Sequence, residues 1–312
     1  MHWYPIAAAI AFVLAYHGYH KGSLSTSGAL AAFVVGYGHL ACPLKLFGAS
    51  MIGFYLIASR ATKIKIQVKA QLEDGINATK PSGNRNVVQV LSNSLPSLLC
   101  ALVYRASQAG DVSTSSQTVS RKTNPDQLSQ AHYCLPLTPV SRVLIFGALG
   151  HFSNCLADTL ASEYGILAPS PPRYILSLKP VPPGTNGGIS ILGLLASVLG
   201  GLDMAAITIV DLYIENPPCR SAGMGWVLEL LVFGILAGLG GSLLDSLLGA
   251  LFQKTLYSSK TNKIITDTSD MSQHNPADLQ TIGYGRDILS NSGVNFICGW
   301  IMALSGYWWS SR

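Results

Sequence analysis

Charge is what this sequence has least of. Only 11% of its 312 residues are Asp, Glu, Lys or Arg, less than half the share usual in soluble domains. That deficit excludes an ordinary water-soluble globule. The six cysteines, Cys42, Cys100, Cys134, Cys155, Cys219 and Cys298, show no CxxC spacing, so neither a zinc site nor a disulfide framework is expected. Four of them fall in or beside apolar runs and read as small buried hydrophobes. No basic region precedes the first apolar run, which therefore reads as a span rather than a signal peptide. The net charge of +5 is scattered over loops; that suits anionic lipid surfaces and leaves no stripe for nucleic acid.

What the chain does have is long apolar runs. Hydrophobic residues make up 49% of it, and candidate spans cover 4–19, 27–42, 44–58, 87–104, 143–160, 189–214, 226–252 and 293–309. Runs of this length span or nearly span a bilayer. The second and third are short and separated only by Pro43, so one of them can be re-entrant and the count is seven or eight. The expected fold is all-α: a polytopic transmembrane helical bundle forming one integral membrane domain over 1–312. Residues 107–129 and 258–279 are polar and read as flexible loops. With no recognisable targeting segment, the default location is the endoplasmic reticulum or another endomembrane.

Orientation follows from basic residues in the loops. The loop 59–86 carries Arg60, Lys63, Lys65, Lys69, Lys80 and Arg85 against only Glu73 and Asp74. With that loop in the cytosol, alternation through eight spans puts 13 Lys and Arg residues on the cytosolic side and seven on the other. Both termini then lie outside. The sequon Asn77-Ala78-Thr79 is cytosolic and is expected to carry no glycan.

Polar residues inside or beside the spans mark a candidate site. Asp245 sits within an apolar helix, where a carboxylate costs about 2.5–3.5 kcal/mol and therefore usually faces the bundle interior. Asp158 lies near the end of another span, and both aspartates fall toward the cytosolic ends of their helices. Two such carboxylates can share one Mg2+, completed by water and substrate phosphate. Ser162 shares the Asp158 face, whereas Glu163 is turned about 140° from it on an ideal helix and reads as an outer acid or a solvated one. Downstream, Gly184, Thr185, Asn186, Gly187 and Gly188 open the next helix. Free backbone N–H groups and the helix dipole would cradle phosphates there, assisted by Lys179; plain turn chemistry is the competing reading. Asn86, Gln89 and Asn93 form an amide stripe, either helix glue or, with Arg85, a second phosphate grip. Asp287, Asn291 and Asn295 open the last span at the same face.

Six segments carry a resemblance: SRATKIK, GNRNVVQVLSN, HFSNCLADTLASEYG, PVPPGTNGGIS, GSLLDSLLGALFQ and LSNSGVNF, in that order. Together they resemble the transmembrane protein 19 family over most of the chain. The broad family contains the plant phytyl-phosphate kinase, which makes a prenyl diphosphate from a nucleoside triphosphate, CTP among others. DTLASEYG is also similar to an element of CTP-dependent polyprenol kinases and CDP-lipid synthases. The resemblance implicates Asp158, Ser162, Glu163, Gly165, Gly184, Thr185, Gly187 and Asp245. In the kinase branch the glycine-rich element carries two glutamates, and Asn186 and Leu192 stand in their places here. The resemblance implies a nucleotide-dependent kinase of prenyl phosphates or related lipids, with Asp158 and Asp245 on Mg2+. In that reading the glycine-rich turn and Lys179 lie on the nucleotide, and Arg85 on the lipid phosphate. The competing class is a transporter, scaffold or lipid-binding protein on a kinase-like frame, which the two missing glutamates favour.

Overall fold

The computed structural model describes residues 4–74, 84–115, 134, 139–266 and 269–312. Each of the eight apolar runs is helical. The helices are α1 (Pro5–His20), α2 (Thr26–Leu40), α3 (Leu46–Ala61), α4 (Ile66–Leu72), α5 (Val87–Ser92), α6 (Leu95–Ser115), α7 (Pro139–Gly165), α8 (Ile191–Glu215), α9 (Pro217–Ser221), α10 (Gly225–Phe252) and α11 (Asn291–Ser310). Serines start several of them: Ser25, Ser190 and Ser290 accept from the backbone N–H three residues on, capping α2, α8 and α11. Among the described residues three helical stretches are long and apolar enough to cross a membrane, Val140–Gly165, Ile191–Glu215 and Gly225–Phe252, and Leu46–Ala61 is a shorter apolar helix.

The bundle is built around α7. Phe146, Leu149, Phe152, Leu156 and Leu160 on this helix are fully buried, and α7 packs against α8, α10 and α11. By contrast α8 and α10 leave Leu195, Leu199, Leu228 and Leu236 exposed, an apolar surface facing outward, as a bilayer-facing helix requires. Small residues let α7, α8 and α10 approach closely. A Cβ on Gly200 would stand 2.7 Å from Ala157 Cα, and one on Gly238 would stand 2.9 Å from Gly201 Cα.

Contacts sort the helix ends into two sets. At one end Glu215 Oε2 accepts from Lys45 N (2.6 Å), Arg142 pairs with Glu229, and Arg105 lies over the Tyr4 ring at 4.9 Å. At the other end Leu24 bridges Arg85, Glu73 bridges Ile264, and Lys69 pairs with Glu163. This is the pairing of loops that alternation through the helices requires.

The structure departs from the sequence reading in four places. The run 87–104 is broken at Asn93 and Ser94. Their side chains bond back to the carbonyls of Gln89 (2.9 Å) and Val90 (2.7 Å), and Pro96, which has no N–H, sits in the first turn of α6. The stripe of three amides is therefore no continuous face: Asn86 and Gln89 cap each other at the start of α5. The fold is mostly helical but not all-α. Arg173–Tyr174 (β1) pairs antiparallel with Gly188–Ile189 (β2). The polar segment 258–279 supplies β4 and an end each of β3 and β5 to a three-stranded antiparallel sheet of β3 (Thr255–Ser258), β4 (Lys263–Ile265) and β5 (Leu279–Ile282), which buries Thr255, Ser258 and Ile264. In the other polar segment α6 continues to Ser115; residues 116–129, and the sequon at Asn77, lie outside the described residues.

The fourth departure is a disulfide between Cys134 and Cys219, against the expectation that the cysteines are simply buried. A separation of 85 residues carries no local spacing signal, so only the folded chain can reveal the pair. Cys42, Cys100, Cys155 and Cys298 are free thiols. A maleimide probe in denaturant is expected to label four thiols without reductant and six after it. Cys219→Ser should cost about 2–4 kcal/mol, read as a lowered melting temperature in detergent. Six thiols without reductant would disprove the bond.

Candidate functional site

Where α7, α8 and α10 come together near the end that carries the Lys69–Glu163 pair, a cavity of about 300 Å3 opens. Asp158 of α7 and Asp245 of α10 both line it, and the charge of Asp158 is felt at Asp245. Gly184, Thr185, Asn186, Gly187 and Gly188 form one wall, with Ser162 and Ser190 beside them. Asp158, Asp245 and the glycine-rich turn, singled out on separate stretches of sequence, thus line one cavity. Asn291 of α11 lines it as well. The Asn295 amide, with its nitrogen turned to the acid, donates to Asp245 Oδ2 over 3.1 Å and to the Asn291 carbonyl over 3.3 Å.

Two clamps hold the glycine-rich wall. Tyr174 of β1 donates its hydroxyl to Ala250 O (2.7 Å) at the end of α10 and accepts from Tyr284 N (3.0 Å). Asn186 N donates to Thr255 Oγ1 of β3 (3.1 Å). Gly187 has φ +79°, and a Cβ there would lie 2.9 Å from Ala250 Cα. A side chain at Gly187 would therefore push the turn off α10, so substitution there disturbs the fold as well as any phosphate approach. The turn also does not itself begin a helix. Gly188 and Ile189 are in β2, and Ser190 caps α8 by accepting from Gly193 N (3.1 Å), which occupies one of the N–H groups the sequence reading offered to phosphate.

Three expected site residues are elsewhere. Glu163 is bound to Lys69 and does not line the cavity; the period of α7 turns it off the Asp158 face, as an ideal helix predicts. Lys179 is exposed on the β1–β2 connection, where its carbonyl accepts from Tyr174 N. Arg85 lines a second cavity between α1, α2, α3 and α5.

Among the described residues no Lys or Arg lines the first cavity, whereas Glu73 does, making a third carboxylate. Sequence reasoning missed Glu73 because an acid in a basic loop, here beside Asp74, looks like a solvated counter-charge. A Cβ on Gly184 would meet Glu73 Oε1 at 2.8 Å, so the acid presses on the glycine turn itself. Burial, with the nearby Glu163 charge adding to it and Lys69 opposing, lifts the Glu73 carboxyl from its ordinary 4.5 to about 7. A raised carboxyl favours the folded state at low pH and loses that contribution as pH rises from about 4.5 through about 7. Glu73→Gln is therefore expected to gain stability relative to the wild type over that interval, by on the order of 2–3 kcal/mol, and to run parallel to it above pH 8. Parallel melting curves from pH 4 to pH 8 would show an unperturbed acid.

Such a cavity attracts cations and repels a bare phosphate. Two aspartates on facing helices, with serine and threonine hydroxyls nearby, fit a hard divalent cation. Among the described residues no three His, Cys, Asp or Glu side chains converge into a ready-made metal centre. A metal bound here would complete its shell with water and ligand phosphate, as Mg2+ characteristically does. Thr185 and Asn186 of the glycine-rich wall offer it a hydroxyl and a neutral amide.

The sequence pattern of the integral membrane protein DUF92 family matches residues 9–303. The chain belongs to that family. Protein PGR of Arabidopsis thaliana is 32% identical over 292 residues, covering 93% of this chain and 90% of that protein. An uncharacterized membrane protein of Synechocystis is 28% identical over 204 residues, 65% of this chain and 62% of that protein. The chloroplastic protein VTE6 of Arabidopsis thaliana is 25% identical over 191 residues, 59% of this chain and 46% of that protein. No solved structure matches. Family membership agrees with the resemblance to the transmembrane protein 19 family and makes the chain an integral membrane protein, with lipid as its surroundings.

Proposed function

We propose that this DUF92 protein transfers a phosphoryl group from CTP or another nucleotide to a prenyl phosphate or related lipid. The observation that carries the reading is the shared cavity of Asp158, Asp245 and the glycine turn. Asp158 and Asp245 would hold Mg2+, which would supply positive charge to neutralise the phosphates. The turn from Gly184 to Gly188 gives the phosphates close approach, and Asn295 keeps Asp245 oriented. Asn186, on the cavity wall, meets a phosphate as a neutral amide where the kinase branch has an acid. Leu192 points away from the cavity, being partly exposed and not among its lining, so the second replaced glutamate falls outside it.

In the same reading the chain crosses the membrane seven or eight times, with this cavity on the cytosolic side of the endoplasmic reticulum or another endomembrane. Two independent features support the orientation. Basic residues accumulate in the loops at the cavity end, and the Cys134–Cys219 bridge, a bond of oxidising compartments, lies at the other.

The test is the purified protein with CTP, Mg2+ and a panel of prenyl monophosphates, with diphosphate formation as readout. An acidic cavity lined by no Lys or Arg among the described residues favours a second reading, a non-enzymatic cation-binding transporter. Mg2+ binding without nucleotide binding would select it.

A further inference from the structure

Gln253 lines the acidic cavity at the end of α10 and is only 7% exposed. Its backbone is committed, the N–H donating to Gly249 O (3.0 Å). Its side-chain amide is not: among the described residues it enters no hydrogen bond, and it opens on the cavity rather than lying sealed in protein. The side chain turns back along the helix, so that a Cβ added to Gly249 would meet Gln253 Oε1 at 2.9 Å and Gly187 N at 3.6 Å. Two glycines thus clear the space around the amide. The other amide on this wall is engaged, since Asn186 donates its backbone N–H to Thr255 Oγ1 (3.1 Å) and its side-chain amide to Lys254 O (3.5 Å). Buried polar side chains almost always find a partner, and one left free on a cavity wall is a recognition group for what the cavity binds.

An amide carries its acceptor and its donors side by side. A phosphate offers acceptors only and would leave the Gln253 carbonyl facing its oxygens. The edge of a nucleobase offers donor beside acceptor, and a glutamine amide pairs with it through two hydrogen bonds. Gly249, over which the amide lies, is one turn past Asp245, about 6 Å along α10 toward its end. A ligand with its phosphates beside Asp158 and Asp245 therefore extends its nucleoside along this wall. We propose that Gln253 is the base-reading residue of the cavity, its amide pairing with the donor–acceptor edge of a nucleobase. The assignment rests on the nucleotide reading of the cavity and adds to it the residue that distinguishes a nucleotide from a bare polyphosphate.

The experiment measures binding of triphosphates, with Mg2+ present, to the full chain in phosphatidylcholine nanodiscs. The tightest of ATP, CTP, GTP and UTP is compared with ribose triphosphate, which lacks the base, and with inorganic tripolyphosphate, which lacks the nucleoside. The wild type is expected to bind the nucleotide tighter than ribose triphosphate by about 10-fold or more, the worth of a pair of hydrogen bonds. Gln253→Met keeps the length and removes the fork. It should weaken the nucleotide about 10-fold or more and leave ribose triphosphate and tripolyphosphate at wild-type affinity, a split that misfolding would not give. Equal loss of all three ligands in Gln253→Met, wild-type nucleotide affinity in that variant, or ribose triphosphate bound as tightly as the nucleotide each overturns the proposal. In those three cases the wild type still binds triphosphate, and the transfer reading survives. A wild type that binds none of the ligands overturns both.

Discussion

Asp158→Asn and Asp245→Asn are each expected to lower Mg2+-dependent nucleotide binding by about 100-fold or more, since even outer-shell partners of a metal ligand cost 10- to 100-fold. Both residues line one cavity from facing helices, and amides cannot supply the charge that Mg2+ requires. Neither change should harm the fold, because replacing one of two mutually repelling acids relieves repulsion rather than creating it. The measurement is nucleotide affinity with and without Mg2+ in detergent, with the melting temperature recorded beside it. Two variants that retain wild-type Mg2+-dependent affinity would place the nucleotide elsewhere.

Lys69→Met is the second large effect, and it is one of stability. Lys69 on α4 is only 4% exposed. Its ammonium donates to Ala61 O (3.3 Å), Thr62 O (3.4 Å) and Glu163, tying α4 to the ends of α3 and α7. Removing one partner of a buried ion pair strands the other, at about 3–5 kcal/mol. Because Glu73 follows directly after α4, the same loss should free one wall of the acidic cavity. The double variant Lys69→Met with Glu163→Gln is expected to recover part of that loss, since no charge is then left alone. A double variant as unstable as the sum of the two single ones would mean that the residues do not interact.

Much of the candidate site is legible in the amino-acid sequence. An aspartate inside an apolar helix is expensive wherever that helix goes, so Asp158 and Asp245 stand out from composition alone. The glycine-rich turn stands out because no apolar packing requires that pattern. Glu73 and Arg85 are harder to place. Both sit in one basic loop, and nothing in the loop says which charges meet water. The structure sends Glu73 against Gly184 and Arg85 beside Ser23, and it retains Glu163 for Lys69. Those assignments depend on partners between 62 and 111 positions away in the chain, as the residue numbers show.

By itself, then, the sequence determined the class of molecule, its helices and the pair of span acids Asp158 and Asp245, because each follows from the local cost of putting a given side chain in lipid. The tertiary structure alone decided three things. It joined Cys134 to Cys219 and paired β3 with β5 across more than twenty residues of chain. It also divided the charges between an acidic and a basic cavity. These features arise from contacts between residues far apart in the chain, and no window of sequence contains both partners.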